Sequence, residues 1–170
     1  MEIKAEHICI AGAIGVGIHF MRKKIAQKKV DQKAKSLAWP AACRVVSSPF
    51  GTRAAPIAGA STFHNGIDIA CAQPSDVWAA ADGTVKDVWF DLQYGGGLSI
   101  SIEHADGLRT GYCHLSDTAV KVGQRVVRGE LIAQSGGEPG AYGAGNSTGP
   151  HLHFTCKQDG CAVDPQKLLA

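Results

Sequence analysis

From residue 43 onward the chain is a succession of short apolar runs separated by Gly, Asp and Asn. Such spacing predicts an all-β fold rather than a helical one. The runs Gly66–Ala70, Val77–Ala80, Gly83–Phe90, Leu98–His104, Leu108–His114, Arg125–Val127, Leu131–Ser135 and His151–Lys157 each read as a strand. Ala105-Asp106-Gly107 reads as a turn between two of them, and Val122-Gly123-Gln124 as another. Gly95-Gly96-Gly97 is no phosphate loop, because neither a helix nor a Lys-Ser/Thr pair follows; it reads as a turn where backbones approach closely.

Before residue 43 the pattern changes. Ile8–Met21 is an apolar stretch, shorter than the roughly 20 residues a spanning helix needs. Ile25–Leu37 reads as a basic, solvated linker helix that Trp39-Pro40 ends. The 170 residues therefore divide into an apolar and basic N-terminal segment, 1–42, and a domain, 43–170. Charge divides the same way. Residues 1–40 carry eight basic and three acidic side chains, whereas 41–170 carry nine and twelve. The positive charge thus belongs to the N-terminal segment and is no nucleic-acid footprint on the domain. Residues 8–21 offer at most a weak membrane association. The basic cluster Arg22-Lys23-Lys24 follows the apolar run instead of preceding it, unlike a signal peptide. By the positive-inside rule this order keeps the domain cytoplasmic.

Three histidine motifs change the picture from fold to chemistry. They are His64-Asn65-Gly66-Ile67-Asp68, Tyr112-Cys113-His114-Leu115-Ser116 and Gly149-Pro150-His151-Leu152-His153-Phe154. Strand residues two or four apart share a face, so His151 and His153 can line one cavity. His64 and Asp68 can do so as well if the segment between them is extended. Each motif alone is weak: a lone His-x-His is more often a buried histidine satisfied by a carbonyl. Together they supply four histidines and an aspartate, of which three can hold zinc while a coordination position stays open for water. His104, in its turn-forming stretch, is left out of the site.

These motifs, with Ser48-Pro49-Phe50-Gly51-x-Arg53, Val77-Trp78-Ala79-Ala80-Ala81-Asp82-Gly83-Thr84-Val85, Val122-Gly123-Gln124-x-Val126 and Val163-Asp164-Pro165, resemble the lysostaphin/LytM-type zinc endopeptidases, which cut peptidoglycan cross-bridges. The resemblance covers roughly residues 45–168, in order. It implies antiparallel sheets forming a LytM-type catalytic domain with a metal cleft, preceded here by a short N-terminal helical segment. It implies that His64, Asp68 and His153 bind Zn2+, and that His114 and His151 are catalytic, flanking the metal-bound water and the scissile carbonyl. Which of the two histidines is the base stays open. The implied partner is peptidoglycan peptide, cut at a D-Ala–diaminopimelate cross-link or a glycine bridge. The implied place is the periplasm or cell envelope, with a membrane anchor or not. That place conflicts with the charge order around residues 8–21. A weak anchor, a misassigned start, or a phage-encoded lysin or virion component would each reconcile them. A non-catalytic wall regulator or virion structural protein on the same fold is the alternative function; no expected ligand is missing, which argues against it.

Two features depart from the family pattern. Cys71 and Cys113 stand where small residues are usual and read as buried side chains rather than ligands. Gly137–Gly145 looks like an insertion bordering the cleft, either a mobile wall with Tyr142 for stacking on substrate or a plain surface loop. The six cysteines fit no zinc ribbon. Cys156 and Cys161 bracket a hairpin loop, Lys157–Gly160, and either form a disulfide or remain two thiols.

Overall fold

Alternating side chains along the strands build two antiparallel sheets that share one core. The computed structural model describes residues 36–55 and 61–170. In chain order the strands are β1 (Val46–Ser48), β2 (Gly51–Thr52), β3 (Phe63–His64), β4 (Gly66–Ala70), β5 (Asp76–Trp78), β6 (Gly83–Asp91), β7 (Gly97–Glu103), β8 (Leu108–Cys113), β9 (Leu115–Thr118), β10 (Arg125–Val126), β11 (Leu131–Ser135), β12 (His151–Gln158) and β13 (Cys161–Val163). The main sheet runs β1-β4-β12-β8-β7-β6-β10, with β13 paired to β12. A second sheet runs β5-β11-β9, and β2 pairs with β3.

The period of two sorts the central strands cleanly. Ile67 and Ile69 of β4, Leu152, Phe154 and Cys156 of β12, Leu108 and Tyr112 of β8, and Ile100 and Ile102 of β7 face the core. Burying each large apolar side chain stabilises the fold by about 1.5–3 kcal/mol. The intervening residues Asp68, His151, His153, Thr155 and Gly111 line a cleft of about 1200 Å3 on the opposite face. Tyr112 joins the two sheets. Its ring lies 5.3 Å from that of Phe154, and its hydroxyl accepts from Ala80 N at 2.9 Å.

The strands read from the sequence are present with small shifts at their ends, and the short ones β1–β3, β9 and β13 are additional. Strands of two to four residues are too short to show a clear period. The expected strand Leu108–His114 stops at Cys113, because His114 takes a left-handed φ of 58° and turns the chain into β9. Asp106, in the anticipated turn, has φ 57°. The hairpin after β12 is tighter than a four-residue loop. Register pairs Gln158 with Cys161 and Cys156 with Val163, around an Asp159-Gly160 turn. Cys156 is therefore buried and Cys161 exposed, both as free thiols. Cys71 and Cys113 are free as well.

The apolar stretch 8–21 and the linker helix from Ile25 lie outside the described residues, as does the expected N-terminal helical segment. Leu37 itself is not helical. Its N–H donates to Leu168 O at 2.8 Å, its carbonyl accepts from Ala170 N at 3.0 Å, and its side chain is 1% exposed. Pro40 O accepts from Trp78 N at 2.8 Å, which ties the following turn to β5. Among the described residues no helix is long and apolar enough to cross a membrane.

The glycine-rich loop is fastened at its C-terminal end. Leu98 N donates to Gly143 O at 3.0 Å and Asn146 N donates to Gly95 O at 2.8 Å. Gly143 has φ 80°, and a Cβ there would lie 1.8 Å from Leu115 O. No side chain fits, and the conformation also disfavours one.

Two substitutions check this packing. Leu37→Ala should lower the unfolding free energy by about 2–5 kcal/mol, as for other fully buried leucines, read by denaturant titration. Gly143→Ala should lower it by at least about 2 kcal/mol, from backbone strain and the clash with Leu115 O. A variant with unchanged midpoint and slope would show that the loop is not seated on β9.

Candidate active site

The site sits where β4, β12 and β8 run side by side. Register places His153 directly opposite Asp68 on one side and Cys113 on the other. Directly opposed Cβ atoms lie about 4.5–5.5 Å apart, so side chains on this face must touch. His64 comes from β3, and the bend at Asn65 swings its ring over Asp68. His64 Nε2, Asp68 Oδ1 and His153 Nδ1 converge. His153 Nδ1 lies 2.8 Å from the carboxylate oxygen, His64 Nε2 lies 3.1 Å from it, and the two nitrogens lie 3.0 Å apart.

The outward nitrogens decide what these inward ones are. His64 Nδ1 donates to Pro49 O at 2.8 Å. His153 Nε2 donates to Asn65 Oδ1 at 3.2 Å. Assigned from these partners, each imidazole carries its proton on the outer nitrogen and turns a bare lone pair inward. Two lone pairs and a carboxylate oxygen in mutual contact repel unless a cation lies among them. Two imidazoles and one carboxylate are the donor set of an open metal site, and His64, Asp68 and His153 can hold a metal ion.

Asp68 is steered from its other oxygen. Arg53 Nη1 donates to Asp68 Oδ2 at 3.2 Å and also contacts Ser48 Oγ. Burial alone would raise the Asp68 carboxyl. When the rings carry protons toward it, hydrogen bonds from His153 and His64 and the fields of His153 and His151 outweigh burial and hold it well below the usual carboxylate range. It is therefore ionised at neutral pH, as a ligand must be.

His114 and His151 stand beside the cluster. Their ring centroids are 4.6 Å apart, and His114 lies 5.9 Å from His153. His151 Nε2 is 3.6 Å from Asp68 Oδ1. Both rings are held by backbone carbonyls: His114 Nδ1 donates to Ala144 O at 2.7 Å, and His151 Nδ1 donates to Gly149 O at 2.7 Å. In each, Nε2 is left free to exchange a proton. Burial, followed by the fields of His151 and His153, pushes the His114 pKa down to about 4, although the Ala144 carbonyl works the other way. His114 is thus neutral at pH 7 and ready to accept a proton. Burial likewise lowers the pKa of His153.

The five residues singled out in the sequence are brought together, and His104 is elsewhere, with Nδ1 on Asp82 O and Nε2 on Thr110 Oγ1. Cys113 lines the cleft, but burial raises its thiol to about 11, and it is not among the residues whose donor atoms converge. What the sequence did not reveal is the supporting shell. Arg53 is visible in a motif, but its grip on Asp68 is not. Pro49, Ala144 and Gly149 act through carbonyls, which every residue possesses, and so leave no signal in a sequence. The loop 137–145 serves the site through Ala144, while Asn146, Thr148 and Gly149 form the cleft wall.

Comparison with known proteins agrees with this geometry. DD-carboxypeptidase/endopeptidase Mpg of Neisseria meningitidis is 42% identical over 122 residues, covering 71% of this chain and 26% of that protein. A zinc-containing peptidase from Vibrio cholerae superposes with a TM-score of 0.64 at 35% identity, over 77% of this chain and 38% of that one. The catalytic domain of the antimicrobial peptidase lysostaphin from Staphylococcus simulans gives a TM-score of 0.62 at 32% identity, over 72% of this chain and 90% of that domain. The chain spans about a quarter of the length of the curated relatives it matches. Residues 62–165 match the sequence profile of peptidase family M23, a span that contains every histidine of the cluster together with Asp68, and the chain belongs to that family.

Proposed function

We propose that residues 37–170 are a zinc-dependent endopeptidase that hydrolyses peptide cross-bridges or stem peptides of bacterial peptidoglycan. The observation that carries this reading is the convergence of three lone-pair donors beside two further histidines, each with Nδ1 on a carbonyl and Nε2 free. A purely structural metal site would use four protein ligands and need no such pair. The peptidase names of the relatives support hydrolysis of a peptide bond, and a further relative, peptidoglycan DD-endopeptidase ShyC of Vibrio cholerae, 34% identical over 126 residues, supports peptidoglycan as the material cut.

His64, Asp68 and His153 would hold the ion. When bound, zinc lowers the pKa of a coordinated water to about 7 and polarises the scissile carbonyl. Neutral His114 then accepts the proton of the attacking water at Nε2 and returns it to the leaving amine. His151, whose Nε2 lies 3.6 Å from the Asp68 carboxylate, would donate from Nε2 in its imidazolium form to the oxygen that gains charge as the carbonyl carbon turns tetrahedral. Arg53 keeps the Asp68 carboxylate oriented throughout. We assign residues 1–36 to delivery or anchoring at the cell envelope.

Asp68→Ala should remove most of the bound zinc, measured by elemental analysis of the purified chain, and abolish peptidoglycan digestion. Full occupancy in that variant would reject the ligand set. His114→Ala and His151→Ala should each retain the zinc and lose about 10²-fold or more in kcat, consistent with acid–base roles. Mass spectrometry of digested, defined wall fragments identifies the bond cut. Intact fragments with zinc-loaded wild-type protein would overturn the enzymatic reading.

A further inference from the structure

The cleft face of the main sheet continues beyond the metal cluster, and its residues form rows across the strands. Along β12 the outward residues after His153 are Thr155 and Lys157; along β8, going away from Cys113, they are Gly111 and Arg109. Register pairs His153 with Cys113, Thr155 with Gly111 and Lys157 with Arg109. The middle row is low at Thr155, Gly111 and Ser101 and ends at the carboxylate of Asp87 on β6. It continues through Ser101 on β7, and a methyl at Gly111 would meet Thr155 Oγ1 at 2.5 Å. Here the floor leaves room for an extended chain lying on it.

The third row is charged. Arg109 Nη2 lies 3.6 Å from Glu103 Oε1, and Lys86 Nζ lies 3.6 Å from Glu103 Oε2, so one carboxylate is shared between two cations. Lys157 makes no ion pair among the described residues. The row therefore keeps a surplus of positive charge, concentrated where Lys157 and Arg109 face each other across the β8–β12 pair. Like charges directly opposite on neighbouring strands weaken a sheet. An anion bridging the two heads would remove that repulsion. A guanidinium beside an ammonium suits a carboxylate, which the first can bind in a fork and the second as a point charge.

Lys157 is four strand residues from His153, about 13 Å at roughly 3.3 Å per residue. An extended peptide advances at the same rate, and the long side chains of the pair shorten the span. We propose that Arg109 and Lys157 form a carboxylate-binding subsite, which selects peptides carrying a free carboxylate three to four residues from the scissile bond. This deepens the endopeptidase reading and rests on it for the identity of the substrate, but not for the existence of the subsite.

The test compares two labelled peptides that differ only in Glu against Gln three residues from the bond to be cut, with that bond N-methylated to prevent hydrolysis. Binding to the 170-residue chain is followed by fluorescence anisotropy at low salt, both zinc-loaded and after chelation. Wild-type protein should bind the Glu peptide about tenfold more tightly, as a charge-assisted pair implies. The ratio should approach one in 0.5 M salt, where the Debye length is only a few ångströms. The double variant R109Q/K157Q should lose the preference, and K157E should reverse it. Equal binding of both peptides by wild type, or an undiminished ratio in the double variant, overturns the subsite. A preserved ratio in a protein that cuts no wall fragment would leave the subsite standing and remove the endopeptidase reading instead.

Discussion

The antiparallel register of β4, β12 and β8 is the constraint on which the rest of the molecule depends. His153 meets Asp68 only because Leu152 meets Ile69 and Phe154 meets Ile67 on the other face of the same strands. A slip of β12 by one residue would turn His151 and His153 into the core and Leu152 and Phe154 into the cleft. Each misplaced large apolar side chain would forfeit about 1.5–3 kcal/mol, and each buried, unpaired polar group would cost a comparable amount or more. The hydrophobic core thus sets the geometry of the site without touching it. The same register extends the cleft floor from the histidines to Arg109 and Lys157, so one pairing scheme fixes both ends of the groove.

A second layer of control comes from backbone carbonyls. Pro49, Ala144 and Gly149 each accept from an imidazole, and Asn65 supplies the fourth acceptor through its side chain. Since each accepts at one ring nitrogen, each leaves the other bare, and the direction of every ring is settled before any substrate arrives. Holding Ala144 in place requires the left-handed glycines around it and the seat of Gly143 against Leu115. His114 itself sits at φ 58°, outside the usual range for a side-chain-bearing residue. Conformational strain of this kind collects at functional sites because only a rigid surrounding structure sustains it.

The sequence showed the longer strands and the five side chains of the cluster, since both leave periodic or chemical marks. It did not show β2 and β3, whose two residues each carry no period, although β3 delivers His64. It did not show that His114 lies at a corner, because a strand ending in histidine and a corner at histidine read alike. The loop 137–145 read either as a mobile wall or as idle surface. Its seating against Gly95, Leu98 and Leu115 gives it another part, that of presenting a carbonyl to His114. The Cys156–Cys161 alternative failed for a similar reason: sequence separation did not reveal that the turn is Asp159-Gly160, which leaves one thiol in the core and the other in solvent.

The cluster also joins metal binding to stability. His64 is carried by β3, Asp68 by β4 and His153 by β12, three strands whose approach brings two lone pairs and a carboxylate together. In the unfolded chain these groups are apart and hydrated, so only the folded chain offers a cation the three donors together. The binding free energy of that cation then adds to the free energy of folding. For an ion present at a hundred times its dissociation constant, the gain is about 2.7 kcal/mol, a sizeable share of the 5–15 kcal/mol that holds a typical domain together. Part of that gain passes through Arg53, because a carboxylate already turned by its second oxygen loses less freedom when the first is captured. An ion held by this cluster would therefore also be a clasp between the β2–β3 pair and the centre of the main sheet.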